Sequence, residues 1–95
     1  MVQSVSKHIA VIGGGSWGTA LVKILSDNLT LNDPPLNWWV RGEDNASYIN
    51  QYHHNPKYLS SVQINSGKVK VSSDLMHTIA SSDMLLFAIP SAFLA

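Results

Sequence analysis

The chain has 95 residues, of which 45% are hydrophobic and 13% charged, and its formal net charge is zero. This length allows one small folded domain, and the neutral charge balance argues against binding to nucleic acid or to an acidic membrane surface. The absence of cysteine excludes disulfides and thiolate chemistry, and no apolar run reaches the length of a signal peptide core or membrane span, so we expect a cytoplasmic protein.

The first strand is predicted from Lys7 to Ile12, because a continuous apolar run is typical of a parallel strand buried on both faces. A helix is predicted from Trp17 to about Leu29, and its apolar residues recur at helical spacing, which indicates that one side faces the sheet. That predicted stripe consists of Ala20, Leu21, Ile24, Leu25 and Leu29. The Asn32–Pro35 cluster then predicts a connecting loop.

Three glycines at Gly13, Gly15 and Gly18 join this strand to this helix with the spacing G-x-G-x-x-G. The pattern assigns a tight turn to Gly13, close approach of backbone to a pyrophosphate to Gly15, and close helix packing to Gly18. The intervening Ser16 and Trp17 would lie where hydroxyl and N–H groups meet phosphate oxygens at the positive end of the helix. The stretch therefore predicts a dinucleotide site.

The middle of the chain predicts a second strand, a short helix and an irregular loop. Leu36–Val40 is rich in strand-forming residues, and a helix beginning at Glu43-Asp44 carries Ala46, Ile49 and Tyr52 on its apolar side. Residues 52–67 show little periodicity, so we predict a loop there.

The last third predicts a strand, a helix and a strand. Lys68–Val71 alternates like a half-exposed strand. Ser73 or Asp74 is suited to cap a helix with an apolar face. We predict that this face includes Leu75, Met76, Ile79 and Ala80. Met84–Ile89 is uninterrupted and apolar, which makes it the best candidate for a central strand, and Pro90 and Ser91 stop it and cap a further helix.

The order of elements, β-α-β-α-β-α-β, predicts an α/β fold with a doubly wound parallel sheet of the Rossmann type. In the usual order, the first strand lies between the second and the fourth, and a ligand binds at the carboxyl ends where the winding direction changes. We therefore expect Gly13–Gly18, Arg41 and Pro90–Phe93 to meet at one edge.

Four stretches in this order resemble the NAD(P)-dependent glycerol-3-phosphate dehydrogenase family of bacterial type. They are Val11–Leu21, Trp39–Arg41, the N-x-x-Y-L loop within His54–Leu59, and the P-S-x-F end within Phe87–Phe93. The resemblance covers residues 8–94. It implies reduction of dihydroxyacetone phosphate to glycerol 3-phosphate for phospholipid synthesis, NAD or NADP as cofactor, and cofactor contacts at Ser16, Trp17, Arg41 and Phe93.

The family's enzyme is several times longer, and its catalytic lysines lie beyond the fourth strand and in a helical substrate domain. The resemblance therefore implies that residues 1–95 are a partial cofactor domain, truncated after the fourth strand, with no catalytic residue of its own. We expect this chain alone to be inactive. A homodimer of the full-length protein is left open.

Two other readings remain open at this point. Another two-domain dehydrogenase, of ketopantoate or 3-hydroxyacid type, shares the glycine turn, although the N-x-x-Y-L and P-S-x-F stretches argue against it. A nucleotide-sensing domain could bind NAD on the same fold without turnover. Sequence features of the substrate half would separate an enzyme from a sensor.

Arg41 follows the second strand and is interpreted as a contact to the adenosine half of the cofactor. A guanidinium is suited to the 2′-phosphate of NADP, but Glu43 and Asp44 offer an acceptor for the ribose of NAD, so the cofactor preference stays open. The alternative is a solvated arginine with no cofactor role.

Other residues suggest chemistry that we do not expect. The four histidines lack metal-ligand spacing, so no metal site is predicted. Trp38 and Trp39 point to opposite faces of a strand, which favours packing over base stacking. Lys57 and Tyr58 could approach substrate phosphate or order the loop over the cofactor, whereas core packing under that loop is expected for Tyr58 and Leu59. Asn55 is interpreted as capping or bridging the turn before Pro56.

Overall fold

In a computed structural model, residues 7–30, 32–56, 61–65 and 67–89 are described. Four strands and three helices alternate along this part of the chain, as the sequence predicts. They are β1 (Ile9–Ile12), α1 (Ser16–Asp27), β2 (Leu36–Trp39), α2 (Glu43–Tyr52), β3 (Val69–Ser72), α3 (Leu75–Ala80) and β4 (Met84–Phe87). Each strand has four residues. The predicted first, second and fourth strands were therefore too long at one end, and the third was displaced by one residue.

The four strands form one parallel sheet in the order β3-β2-β1-β4. The expected order, with β1 between β2 and β4, is confirmed. The prediction that the most apolar strand is central was wrong for the described residues, because β4 lies at the edge of this sheet. Met84 is 42% exposed and Phe87 is 60% exposed. An uninterrupted apolar run indicates that helices cover both faces of a strand, but it does not determine whether the strand is central or at the edge of the sheet.

Most of the buried apolar side chains lie on one face of the sheet, beneath α1 and α2. We call this the α1–α2 face. It consists of Val11, Leu36, Trp38 and Val69 on the strands and of Val40 just after β2, which cluster with Val22 of α1 and with Ala46 and Ile49 of α2. The predicted roles of Ala46 and Ile49 are confirmed, whereas Tyr52 is 49% exposed and its ring packs against Tyr48.

The opposite face, which we call the α3 face, carries the alternate strand residues. Ala10 of β1 pairs in register with Asn37 of β2, and Ile12 pairs with Trp39. The amide Nδ2 of Asn37 donates to Ser82 Oγ at 2.9 Å, and Trp39 Nε1 donates to the carbonyl of Ser73 at 2.9 Å. This face is therefore joined to the α3 region through polar contacts.

The buried side of α1 differs from the predicted stripe. Its buried residues are Gly18, Thr19, Val22 and Ser26, whereas Ile24 is 59% exposed. Leu21, Leu25 and Leu29 are partly buried at the margin of the core. The helix turns its small residues towards the sheet because its first turn lies very close to β1, and bulky residues are displaced to the sides.

The predicted apolar face of α3 was also wrong. Asp74 caps this helix as expected, and its Oδ1 accepts a hydrogen bond from the N–H of His77 at 3.0 Å. Thr78 is the buried residue, while Leu75 and Ile79 are each 36% exposed and Met76 is 74% exposed. The buried hydroxyl is satisfied within the helix, since Thr78 Oγ1 donates to the carbonyl of Asp74, and Ser82 Oγ in turn donates to the carbonyl of Thr78.

Several predictions concern residues outside the described ranges. They are the roles of Lys57, Tyr58 and Leu59 in the loop after α2, and those of Pro90, Ser91 and Phe93 after β4.

Candidate functional site

The turn after β1 closes back against its neighbouring strands. Gly13 has a φ of +133°, and its N–H donates to the carbonyl of Trp39 at 2.9 Å. A Cβ at Gly13 would overlap the carbonyl oxygen of Ala88 on the segment that follows β4. The predicted role of Gly13 in a tight turn is therefore supported both by its backbone conformation and by its surroundings.

Gly18 fixes the distance between α1 and this turn. A Cβ at Gly18 would overlap the carbonyl oxygen of Gly13. The helix can lie this close to the end of β1 because residue 18 has no side chain, which is the packing role that the glycine spacing predicts.

Gly15 lies at the N-cap of α1, and it differs from Gly13 and Gly18. A Cβ at Gly15 would meet no atom within 4 Å, and no side chain caps the helix there. The fold itself does not require a glycine at this position. The first N–H groups of a helix have no intrahelical acceptor and carry the positive end of the helix dipole, so an anion can occupy this open space.

A cleft of about 440 Å³ opens beside this helix N-terminus. It lies between the carboxyl ends of β1 and β4, where the winding direction of the sheet changes. Its described lining residues are Gly15, Ser16, Trp17, Leu21, Phe87, Ala88 and Ile89. Trp17 is 78% exposed and Phe87 is 60% exposed, so two aromatic rings are available to contact a planar ligand.

Three consecutive carbonyl groups of the turn accept hydrogen bonds from buried side chains. Trp38 Nε1 donates to the carbonyl of Gly13 at 2.7 Å. Asn55 Nδ2 donates to the carbonyl of Gly14 at 2.7 Å, and Thr19 Oγ1 donates to the carbonyl of Gly15 at 2.9 Å. These three side chains are fully buried. The carbonyl oxygens are therefore held within the protein, which favours binding of an anion by the N–H groups of the same turn.

Arg41 lies where the sequence predicts it, just beyond β2 at the carboxyl edge of the sheet. Its side chain is exposed, and Gly42, with a φ of +91°, leads into α2 directly after it. Glu43 and Asp44 occupy the first turn of α2 and are also exposed. The glycine turn and Arg41 thus share one edge. Phe93, the other predicted contact, lies outside the described residues.

Sequence reasoning missed the supports of this site. Asn55 was expected to bridge its own turn, but its amide reaches the glycine turn 41 residues earlier in the chain. Trp38 was expected to be a packing residue, yet its indole N–H also holds the turn. The sequence carries no signal for this role, because the burial of Asn55, which requires its amide to satisfy other polar groups, is known only from the fold.

The described ranges contain no group of three or more His, Cys, Asp or Glu residues that could hold a metal ion. No helix within these ranges is both long enough and apolar enough to cross a bilayer.

A family model described as the N-terminus of NAD-dependent glycerol-3-phosphate dehydrogenase matches residues 8–95. This chain belongs to that family. The match bears out the resemblance drawn from the glycine turn, the N-x-x-Y-L loop and the P-S-x-F end.

Named relatives agree with the family assignment. Glycerol-3-phosphate dehydrogenase [NAD(P)+] of Corynebacterium aurimucosum is 39% identical over 84 residues, covering 88% of this chain and 24% of the relative. The mitochondrial glycerol-3-phosphate dehydrogenase [NAD(+)] 2 of Saccharomyces cerevisiae is 36% identical, covering 90% of this chain and 21% of the relative.

A solved structure of glycerol-3-phosphate dehydrogenase from Plasmodium falciparum has the same fold. It superposes with a TM-score of 0.78 at 30% identity, over 94% of this chain and 26% of that structure. The chain therefore spans about a quarter of the length of the relatives that it matches.

Proposed function

We propose that this chain binds NAD or NADP at the cleft beside α1, with the pyrophosphate at the helix N-terminus. The observation that carries the proposal is the open space at Gly15, where a side chain would meet nothing but where uncapped N–H groups begin the helix. The exposed ring of Trp17 and the exposed guanidinium of Arg41 lie at the same carboxyl edge of the sheet and are available for the remaining parts of a dinucleotide.

Within a whole glycerol-3-phosphate dehydrogenase, we propose that this region positions the cofactor while other regions bind and protonate the substrate. The reaction is hydride transfer between the nicotinamide and dihydroxyacetone phosphate or glycerol 3-phosphate, and the hydride chemistry belongs to the cofactor. No acidic or basic side chain is found among the described residues that line the cleft. This composition supports a binding role for the cleft.

The binding proposal is tested by the substitution Gly15→Ala. The added methyl group has room in the protein, so the melting temperature should stay within about 2 °C of the wild type. The same methyl group would occupy the approach to the pyrophosphate, and we expect the Kd for NADH to rise about tenfold or more. The measurement is a fluorescence titration with NADH on both proteins.

Gly67→Ala is the matched control, because Gly67 lies in an exposed loop and a Cβ there would have only an ordinary contact with Asn65. Its affinity for NADH should equal that of the wild type. Unchanged NADH affinity in Gly15→Ala would contradict the placement of the pyrophosphate.

A second experiment separates binding from catalysis. The chain is mixed with NADH or NADPH and dihydroxyacetone phosphate, and cofactor oxidation is followed by absorbance. We expect binding without turnover. Reproducible turnover would contradict the assignment of the catalytic groups to other regions.

The choice between NAD and NADP is tested at Arg41. If this guanidinium pairs with the 2′-phosphate, Arg41→Ala should weaken NADPH about 10- to 150-fold, because hydrogen bonds to an ionised acceptor are strong. NADH should weaken about fivefold, through lost stacking on the adenosine. Both cofactors are titrated against the variant at low and raised salt, with the exposed Lys70→Ala as the control for a lost surface cation.

Equal weakening of both cofactors would mean that Arg41 stacks on the adenosine without selecting between them. The cytoplasmic location and a homodimer of the whole enzyme stay predictions from the sequence.

A further inference from the structure

Asn55 is the buried polar residue with the most direct connection to the proposed phosphate site. It is 0% exposed although it lies in the irregular segment that follows α2. Its amide Nδ2 donates to the carbonyl of Gly14 at 2.7 Å and to Thr19 Oγ1 at 3.0 Å. An asparagine amide carries two N–H bonds at a fixed angle, so one side chain can serve these two acceptors simultaneously.

The Thr19 hydroxyl extends this network by one residue. It accepts from Asn55 Nδ2 and donates to the carbonyl of Gly15 at 2.9 Å, and the backbone N–H of Thr19 donates to the same carbonyl at 2.9 Å. Asn55 therefore orients the Thr19 hydroxyl, which in turn donates to the carbonyl of Gly15. Two successive peptide groups of the turn are fixed by one loop residue, directly at Gly14 and through Thr19 at Gly15.

The geometry of the peptide group connects these bonds to anion binding. In a trans peptide, the C=O of one residue and the N–H of the next point in opposite directions. When the carbonyls of Gly14 and Gly15 point into the protein, the N–H groups of Gly15 and Ser16 point away from it. Both of these residues line the cleft. A rotated peptide would instead present a carbonyl oxygen, which repels a phosphate.

We propose that Asn55 is a positioning residue, which sets the orientation of the two N–H groups that bind the cofactor's pyrophosphate. This inference rests on the proposed function. The segment after α2 would then contribute to cofactor binding although Asn55 does not line the cleft. Asn55 acts through the carbonyl of Gly14 and the hydroxyl of Thr19.

The main test uses two isosteric substitutions, Thr19→Val and Thr78→Val. Both threonines are buried, and each donates to the carbonyl four residues earlier in the first turn of a helix. Thr19→Val also removes the acceptor of Asn55 Nδ2, so it should lose more stability than Thr78→Val, and ligand affinity is compared under conditions where both variants are folded. Thr19→Val alone removes the link from Asn55 to the Gly15 carbonyl. We expect it to raise the Kd for ADP about five- to tenfold relative to Thr78→Val, as the loss of one oriented hydrogen bond predicts.

Asn55 itself is tested with Asn55→Leu, which keeps a similar volume and removes both donors. Its control is Asn50→Leu, because the amide of Asn50 in α2 also donates to a backbone carbonyl, that of Val71 in β3. Neither residue belongs to the glycine turn or the cleft. Asn55→Leu should weaken ADP by at least as much as Thr19→Val does. If Asn55→Leu does not fold, the comparison of the two threonine variants still decides the question.

Adenosine supplies the readout that a merely structural role would not change. It lacks the pyrophosphate, so its affinity should change less than about twofold in Thr19→Val and Asn55→Leu. Binding of both ligands is measured by ¹H–¹⁵N correlation spectra of the 95-residue chain. The Gly15 and Ser16 amide resonances should move with ADP in the wild type and move less in the variants.

Two outcomes would overturn the inference, and they are distinguishable. If the wild type binds ADP and Thr19→Val binds it as Thr78→Val does, or if adenosine and ADP weaken equally, Asn55 has only a structural role and the proposed function stands. If the wild-type chain does not bind ADP or NADH, the proposed function fails, and the role of Asn55 in phosphate binding fails with it.

Discussion

The two faces of the sheet hold their helices by different means. On the α1–α2 face, large apolar side chains such as Leu36 and Trp38 are fully or almost fully buried beneath two helices. On the α3 face, the described contacts include hydrogen bonds from Asn37 and Trp39 to the segments that flank α3, and the large apolar residues of α3 remain exposed. The stabilising free energy of apolar burial grows with the area removed from water. A hydrogen bond within the protein replaces one with water, so its net contribution is smaller.

This difference shows where the stability of the glycine turn comes from. Trp38 and Thr19, which hold the turn, are both fully buried residues. The turn is therefore supported by the strongly packed face, while the cleft opens towards the edge strand β4. The comparison predicts that substitutions on the α1–α2 face cost more stability than equivalent changes on the α3 face.

The largest effect is expected from Leu36→Ala. Leu36 is 2% exposed, so its truncation should leave a cavity and lower the free energy of unfolding by about 2–5 kcal/mol. Leu75→Ala on α3 is the matched change on the other face, and at 36% exposure it should cost less than about 1 kcal/mol. Urea unfolding of both variants measures the difference. Equal losses would mean that the two faces are packed alike.

The neighbouring tryptophans give a second comparison within one strand. Trp38→Phe removes the buried donor to the Gly13 carbonyl, and we expect a loss of about 1–3 kcal/mol because a buried acceptor is left without that donor. Trp39→Phe removes an equivalent bond to Ser73 from a half-buried ring, and it should cost about 0.5–1.5 kcal/mol. Thermal unfolding followed by circular dichroism ranks the two, and a larger loss for Trp39→Phe would reverse the comparison.

A smaller effect is expected from Ser82→Ala on the α3 face. The Ser82 hydroxyl accepts from Asn37 Nδ2 and donates to the carbonyl of Thr78, so its removal breaks both bonds. Because this residue is half-buried, water can partly replace it, and we expect a cost of about 1 kcal/mol. Ser47→Ala, at an exposed position on α2, is the control and should have no measurable effect. A loss above that of Leu36→Ala would show that polar contacts dominate the fold.

The smallest effects are expected at exposed apolar residues of both faces. Met76→Gln on α3 and Ile24→Gln on α1 change side chains that are 74% and 59% exposed. Each should alter the free energy of unfolding by less than about 0.5 kcal/mol. A large loss in Met76→Gln would reveal that α3 is covered by another part of the protein or by a second copy, which sedimentation of the variant and the wild type would distinguish.

Most of the fold could be predicted from the sequence because its signals are local. The glycine spacing, the Asn32–Pro35 loop and the Asp74 cap each act within a few residues, and the order of strands follows from the doubly wound rule. The side of α1 that faces the sheet was wrongly predicted because two signals in the sequence disagree, and the packing role of Gly18 outweighs the apolar spacing through its contact with the carbonyl of Gly13. Hydrophobic periodicity favoured Ile24, whereas packing distance placed small residues inside.

The location of the candidate site was also predictable from local signals. Gly13, Gly15, Gly18 and Arg41 lie at one edge, as the motif and topology predict. Asn55 and Phe87 were missed as members of the site because their roles arise from contacts across the chain, and a single sequence contains no record of those contacts. The contribution of Phe93 stays a prediction.

The parallel arrangement of β1 and β4 also determines when this domain can fold. The N–H of His8, at the start of β1, donates to the carboxylate of Asp83, 75 residues later in the chain. Pairing at this separation closes a large loop, and sheets built from such distant pairs form slowly. The cleft requires Phe87–Ile89, so during synthesis all the residues that hold the glycine turn are made before those that complete the cleft.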